Sequence, residues 1–347
     1  MQASRKAKKG KPNTASKKKP KTTKLSRAEI ANFFEADGKT LKTTSKWSSS
    51  GGLSLVVLKK NSATLGIGNW NSKKLNHLLS QLVFMDLQLK KDQLQTDKNP
   101  VRHVNLPQVM EKHGIYSTPA KLQAALATAT PASATGMIQR YRDSGKVENL
   151  VEEVLIQFKA ALRQSEATTG IDEKKIDAFA MALARLCGLT TGKFKIDHRT
   201  YQLQLWGVRC GSDADVYIIS SSTEDLVIIF EDKAGKQATP HNGGYIGQII
   251  GEMLMMKEHN EAVKAGNGLK DVFAIRIINY HAAFFKLACS AAQLKVYRSS
   301  PVGQVPTPPA TLYCTHDPEA QLGYNLLQKG ERGLSMEGFT AIREILA

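Results

Sequence analysis

The sequence predicts a mixed fold, α+β or α/β, in which a central sheet is flanked by helices. A smaller, mostly helical region and a basic tail precede it. Three observations carry that expectation. Val216–Ile219 and Leu226–Phe230 are short apolar runs rich in strand-forming residues, separated by the polar stretch Ser220–Asp225, which reads as a hairpin. Upstream, Val151, Val154, Leu155, Phe158 and Leu162, then Ile176, Phe179, Ala180 and Leu183, recur at helical spacing. Finally, residues 1–27 hold eleven Lys and Arg and no acid, so most of the net charge of +17 lies in the tail and +6 remains on the rest of the chain.

In chain order, the tail (1–27) is too rich in Lys, Pro, Ser and Thr to bury a core and is expected to be disordered. Ser26-Arg27-Ala28-Glu29 has capping-box spacing and predicts a helix to about Ala36. Ser48–Gly52 reads as a loop and Leu53–Leu58 as a strand. Leu75, Leu78, Leu79, Leu82 and Phe84 predict a helix over Asn71–Lys90. A further helix is expected from Lys121 to Thr130, broken by Pro131–Gly136. That break is taken as a boundary between a 28–135 region of no recognisable chemistry and a 136–347 domain.

Within the second part, helices are expected at Val147–Gln164 and at Asp172–Leu186, whose leading acids suit the helix dipole. Phe194–Ile196 and Gln202–Trp206 are expected to supply the first strands of the sheet. After the hairpin, Gly243-Gly244 opens a helix to about His259, and Phe273–Ile277 is a further strand.

Several function classes are excluded by pattern. The four cysteines show no CxxC spacing, against a zinc site or a disulfide framework and in keeping with a reducing compartment. The eight histidines include no His-x-x-x-His pair, and there is neither a P-loop nor a Gly-x-Ser-x-Gly turn. No apolar run approaches the roughly 18 residues of a membrane span, so no membrane partner is expected, and no secretory leader is visible. Lys6–Lys11 and Lys17-Lys18-Lys19-Pro20-Lys21 read as a nuclear localisation signal or a nucleic-acid-binding arm.

The chemistry concentrates at one place. Side chains alternate along a strand, so Glu231 and Lys233 project to one face and Asp232 to the other. A hairpin brings Asp215 beside Glu231. Two carboxylates with a lysine suit a hard divalent cation and a polarised water, the set that phosphodiester hydrolysis needs. The plainer reading keeps Asp213 and Asp215 as turn residues and Glu231-Asp232-Lys233 as an exposed strand end.

Asp215, Glu231 and Lys233 resemble the signature of the PD-(D/E)xK, restriction-endonuclease-like nuclease superfamily. Leu205-Trp206-Gly207, Asp215-Val216, Glu231-Asp232-Lys233, Gln248 and Gly251-Glu252 together resemble nuclease-like proteins of fungi and oomycetes, among them carboxy-terminal domains of Crinkler-type effectors. The resemblance covers roughly residues 170–345. Ala214 stands where the superfamily name expects proline. What it implies is a restriction-endonuclease-like core in which Asp215 and Glu231 hold Mg²⁺ or Mn²⁺, Lys233 assists the attacking water and Gln248 helps place it. A helix before the first strand often adds a metal-reaching Glu; Glu173 is the candidate, with Asp177 behind it. The implied function is a nuclear, metal-dependent nuclease, with DNA favoured over RNA, Lys236 and the tail meeting phosphates, and room for a homodimer or an effector role. The alternative is a catalytically inactive nuclease-fold protein that binds nucleic acid or a host protein, since superfamily members can keep the fold without the metal site.

Overall fold

β7 (Leu226–Lys233) is the strand around which the protein is organised, buried on both faces from Leu226 to Phe230. The computed structural model describes residues 21–60, 78–96, 99–212, 214–234, 245–263 and 271–346. The expected tail residues 1–20, the Asn71–His77 portion of the expected helix, Asp213, Lys236, His241 and Gly243-Gly244 lie outside the described residues.

The chain opens with β1 (Thr22–Lys24), α1 (Arg27–Ala31), α2 (Ser49–Ser54) and β2 (Val56–Lys60). Four short helices follow: α3 (Leu79–Asp86), α4 (Lys91–Thr96), α5 (Leu106–Lys112) and α6 (Pro119–Leu126). Then come α7 (Pro131–Gln164), α8 (Lys174–Leu186), β3 (Phe194–Asp197), β4 (Tyr201–Leu205), β5 (Val208–Ser212) and β6 (Val216–Ser220). Beyond β7 lie α9 (Tyr245–Val263), β8 (Val272–Ile278), β9 (His281–Ala288) and α10 (Ala291–Ser299). The chain finishes with β10 (Gln304–Pro306), β11 (Ala310–Cys314), β12 (Tyr324–Asn325) and α11 (Lys329–Leu346).

Among the described residues the main sheet is eight-stranded and mixed, ordered β2-β11-β9-β8-β7-β6-β3, with β12 paired to β9. β7–β8 and β2–β11 are parallel; the other pairs are antiparallel. The predicted hairpin is β6–β7, with a register shift at Ile218/Ile219 that leaves Val227 unmatched. From Ile228 onward the alternation is clean. Ile228 and Phe230 enter one core with α7, α8 and α11, while Ile229 enters a second core with α9. The parallel step from β7 to β8 is made through α9, as parallel pairing requires. The architecture is therefore mixed α+β, with helices on both faces of a mixed sheet.

Several expectations are corrected. β4 does not join the main sheet but pairs with β5. Trp206 (φ 52°) and Gly207 (φ 79°) both take positive φ, which makes the two-residue turn that folds one strand directly on the other. β3 does enter the sheet, at its edge beside β6. Pro131 starts a helix rather than breaking one: Thr130 caps it, proline takes the first turn, and α7 runs for 34 residues. The boundary drawn after residue 135 thus falls inside α7. The 28–135 region supplies edge strand β2 and helix α3, which packs on α7 and α11.

Ser48–Gly52, expected as a loop, belongs mostly to α2, capped by Ser48. Its glycines are used for close approach: a Cβ on Gly52 would lie 2.4 Å from Gly247 Cα of α9. The expected strand from Leu53 accordingly starts only at Val56. The tail's last residues are not disordered, since Thr22–Lys24 pair with Gln304–Pro306. The capping box at Ser26 and Glu29 is formed, but α1 ends at Ala31. α9 runs past its expected end near His259 to Val263, and the Asn260 amide bonds both backbone groups of Leu226 at 2.9 and 2.8 Å, tying the helix to the start of β7. Among the described residues no helix is long and apolar enough to cross a membrane.

Candidate metal centre

The last three residues of β7 point in alternate directions and meet two different helices. Asp232 projects to the α8 face. Glu231 and Lys233 project to the α9 face. Asp215 immediately precedes β6 and, by the β6–β7 register, stands across from Glu231.

On the α8 face, carboxylate oxygens of Asp177, Asp215 and Asp232 all lie within 4.8 Å of one another. Asp177 comes from the first turn of α8. Asp215 Oδ2 accepts the backbone N–H of Asp232 at 2.9 Å, which pins the hairpin end. Asp232 is 1% exposed, yet neither of its oxygens faces a hydrogen-bond donor among the described residues; the same holds for Asp177 Oδ1. What faces Asp232 is another carboxylate. Burial, then the facing Asp177 carboxyl and the charge of Asp215, push the Asp232 carboxyl up to about 11. Burial also raises Asp215, against the pull of Lys233. Buried polar groups ordinarily have partners, and like charges cannot all ionise in one place without a cation. Three carboxylates so placed could hold a metal ion, and their oxygens suit a hard divalent cation.

On the α9 face the protein itself supplies a counter-charge. Glu231 is fully buried, and its Oε1 lies 2.7 Å from Lys233 Nζ. Gln248 Nε2 donates to Glu231 Oε2 at 2.8 Å and to Glu252 Oε1 at 2.9 Å. Gln248 and Glu252 are four apart on α9 and so share a helix face. Burial raises the Glu231 carboxyl well above its ordinary value, and the nearby Glu252 and Asp215 add to it. Burial pulls Lys233 down, but the charges of Glu231 and Asp215 outweigh it and the ammonium is held more firmly than usual. The Tyr245 ring lies 5.9 Å from Lys233 Nζ at the start of α9.

The structure thus brings Asp215, Glu231, Lys233 and Gln248 to one strand end. Glu173 stands apart: it is exposed at the N-cap of α8, and only its charge reaches Asp215 and Lys233. Asp177, one helical turn further on, is the residue of α8 that enters the cluster. Asp232 and Glu252 had no assigned role in the sequence reading. The four-residue spacing of Gln248 and Glu252 was a usable signal for the second. For Asp232 there was none, because its partner Asp177 comes from a helix 55 positions upstream. No family model and no curated protein matches this chain.

Proposed function

We propose that the protein is a metal-dependent nuclease that hydrolyses phosphodiester bonds of nucleic acid on a restriction-endonuclease-like core. The observation that carries this reading is the position of Asp215. It belongs to the acidic cluster with Asp177 and Asp232, and it lies within electrostatic reach of the Glu231–Lys233 pair. Carboxylates for a cation and an ammonium for the reacting phosphate therefore meet at one strand end.

Asp177, Asp215 and Asp232 would hold Mg²⁺ or Mn²⁺, with Glu231 alongside. When bound, such an ion activates a water and stabilises charge on a phosphoryl oxygen. Lys233, held by Glu231 and 18% exposed, keeps its proton and presents positive charge where an oxyanion develops. Gln248 and Glu252 fix Glu231, and with it the lysine. The Lys-rich segment before Thr22 would neutralise backbone phosphates and make binding salt-sensitive. The same segment supports a nuclear address, and contacts to phosphates carry no base information, which favours DNA binding with little sequence selectivity. The resemblance to Crinkler-type domains supports an effector role.

The test is cleavage of plasmid DNA and of single-stranded RNA with Mg²⁺, with Mn²⁺ and with chelator, for wild type, Asp215→Asn and Lys233→Ala. Metal-dependent cleavage lost in both variants, with binding retained, is the expected result. Binding by wild type without cleavage under either metal would leave a nucleic-acid-binding protein and end the nuclease reading.

A further inference from the structure

Beside the Glu231–Lys233 pair, the α9 face of the sheet holds a cation that the candidate centre does not use. Arg276 of β8 stands in register with Glu231 on one side and with Ala283 of β9 on the other. It is fully buried, and no carboxylate among the described residues pairs with it. Its guanidinium donates instead to three backbone carbonyls: Pro318 at 3.1 Å, Gln321 at 2.8 Å and Leu322 at 3.3 Å. The Nε atom is buried too and faces no acceptor among the described residues. Carbonyls carry no net charge, so a whole positive charge stays in the interior without an anion. Arginine is rarely buried that way.

Two histidines stand over the same ground. His281 opens β9 across from Ile278, which is itself in register with Lys233. Thr315 donates its N–H to the Phe284 carbonyl, and the same register brings His316 beside Ala283. The small Ala283 thus lies between Arg276 and His316, and His316 leads into the loop that Arg276 grips. Each ring leans on a tyrosine, His281 on Tyr280 at 4.5 Å and His316 on Tyr324 at 4.3 Å between centroids. Both histidines are half-buried. Burial lowers His281; burial, then the charges of Lys60 and Arg276, push His316 down to about 4, so both rings are neutral. Lys60 is exposed at the end of β2, opposite Cys314. The acids nearby are few and engaged. Glu331 accepts the Asn325 N–H at 2.6 Å, and Asp317 accepts that of Glu319 at 3.0 Å.

We propose that His281, His316 and Lys60, over the buried Arg276, form a subsite for a phosphate group, filled by the backbone of the nucleic-acid strand whose reacting phosphate lies at Lys233. The subsite rests on the nucleic-acid reading above but not on cleavage. Three strand spacings separate β7 from β11, about 14 Å. That is several times the roughly 3.4 Å rise between successive phosphates of one duplex strand. The ligand is therefore a second phosphate, not the reacting one. A neutral imidazole offers one N–H donor, and Lys60 adds a charge. Arg276 does not touch the anion. Its charge acts from the low-dielectric interior, where it is screened least. By holding the loop behind His316 it is also a positioning residue.

The experiment is an NMR titration of the full-length protein carrying isotope-labelled histidine, in chelator, with inorganic phosphate and separately with a thymidine trinucleotide. His281→Gln and His316→Gln assign the two ring signals, which keeps the readout at the subsite and away from the Lys-rich segment. Both signals should move and saturate with either ligand. Arg276→Gln, checked for folding by circular dichroism, should weaken both affinities by about tenfold, and Arg276→Lys, which keeps the charge, should recover part of that loss. Lys60→Gln, at an exposed position, should weaken them by roughly threefold to tenfold, and it decides alone if Arg276→Gln does not fold. Saturation by phosphate but not by the trinucleotide would make this a free-phosphate site and overturn the strand path. No saturable movement of either ring, or movement indifferent to the variants, would overturn the subsite. Trinucleotide binding here without any cleavage of plasmid DNA would leave the subsite standing and end the nuclease reading; cleavage with silent histidines would do the reverse.

Discussion

Asp232 and Glu231 are neighbours in sequence, both are buried, and they are solved differently. On the α9 face, Glu231 has an ammonium at 2.7 Å and an amide at 2.8 Å, so its charge is answered from within the protein. On the α8 face, Asp232 meets Asp177 and Asp215, and among the described residues neither of its oxygens has a hydrogen-bond partner. Burying a charge without a partner costs several kcal/mol, on the order of what a whole domain has to spare. The first arrangement has its counter-cation as folded. The second becomes complete when a cation, or failing that a proton, is added. A strand end with one balanced and one unbalanced face can hold a reactive ammonium rigidly and still leave room for an ion.

The largest expected effect is on catalysis. Asp215 belongs to the unbalanced set and acts electrostatically on the balanced one, so Asp215→Asn should lower metal-dependent cleavage by on the order of 10³-fold, about 4 kcal/mol of transition-state stabilisation. Single-turnover cleavage at saturating Mg²⁺ measures this. A variant with near wild-type rates would mean that the two faces work independently of Asp215.

Next comes stability on the balanced face. Lys233→Met removes the cation paired with Glu231 and should destabilise the protein by about 3 kcal/mol, because a buried carboxylate then lacks its counter-charge. Urea unfolding reads this directly. Adding Glu231→Gln to the same protein should recover a large part of the loss, and no recovery would mean that Lys233 acts through packing instead.

Removal of a titratable group from the unbalanced face should have the opposite sign. In chelator, Asp232→Asn should stabilise the protein by roughly 1–3 kcal/mol, because a buried amide needs none of the proton uptake that burial beside Asp177 and Asp215 forces on the carboxyl. With Mg²⁺ the order should invert, since only wild type gains binding energy. Thermal melts with and without Mg²⁺ make the comparison; equal shifts for both proteins would place the ion elsewhere.

Much of this was legible in the sequence where physics is local. The β6–β7 hairpin followed from apolar runs around a polar turn, and strand alternation correctly placed Glu231 with Lys233 and Asp232 opposite them. What alternation could not give was the identity of the helix waiting on the far side, so the Asp177–Asp232 contact was invisible. The resemblance points to a glutamate on α8, hence Glu173, but that residue is exposed at the helix start, and the cluster takes the acid one turn further in. Pro131 and Gly51-Gly52 were read as breakers. Proline after a capping Thr130 is equally a helix start, and the glycines serve a close approach of α2 to α9 that only tertiary structure reveals. β1 fell in a segment whose composition argues for disorder and whose order comes from β10, 280 residues away.

The effect that separates proton from metal is the pH dependence of stability in chelator. Folding raises the Asp232 carboxyl from 3.8 to about 11. A raised carboxyl keeps its proton in the folded state where the unfolded chain has lost it. Its contribution to stability is therefore full below the unfolded value and declines as pH rises from about 4 toward 11, by at most about 1.4 kcal/mol per pH unit. Between pH 6 and 8 the metal-free protein should thus become easier to unfold as pH rises, and Asp232→Asn should flatten that slope. Saturating Mg²⁺ should flatten it too, because the cation answers the charge that the proton otherwise cancels. If denaturant midpoints show the same slope for wild type and Asp232→Asn, the α8 face is not the unbalanced one, and the contrast with the α9 face fails.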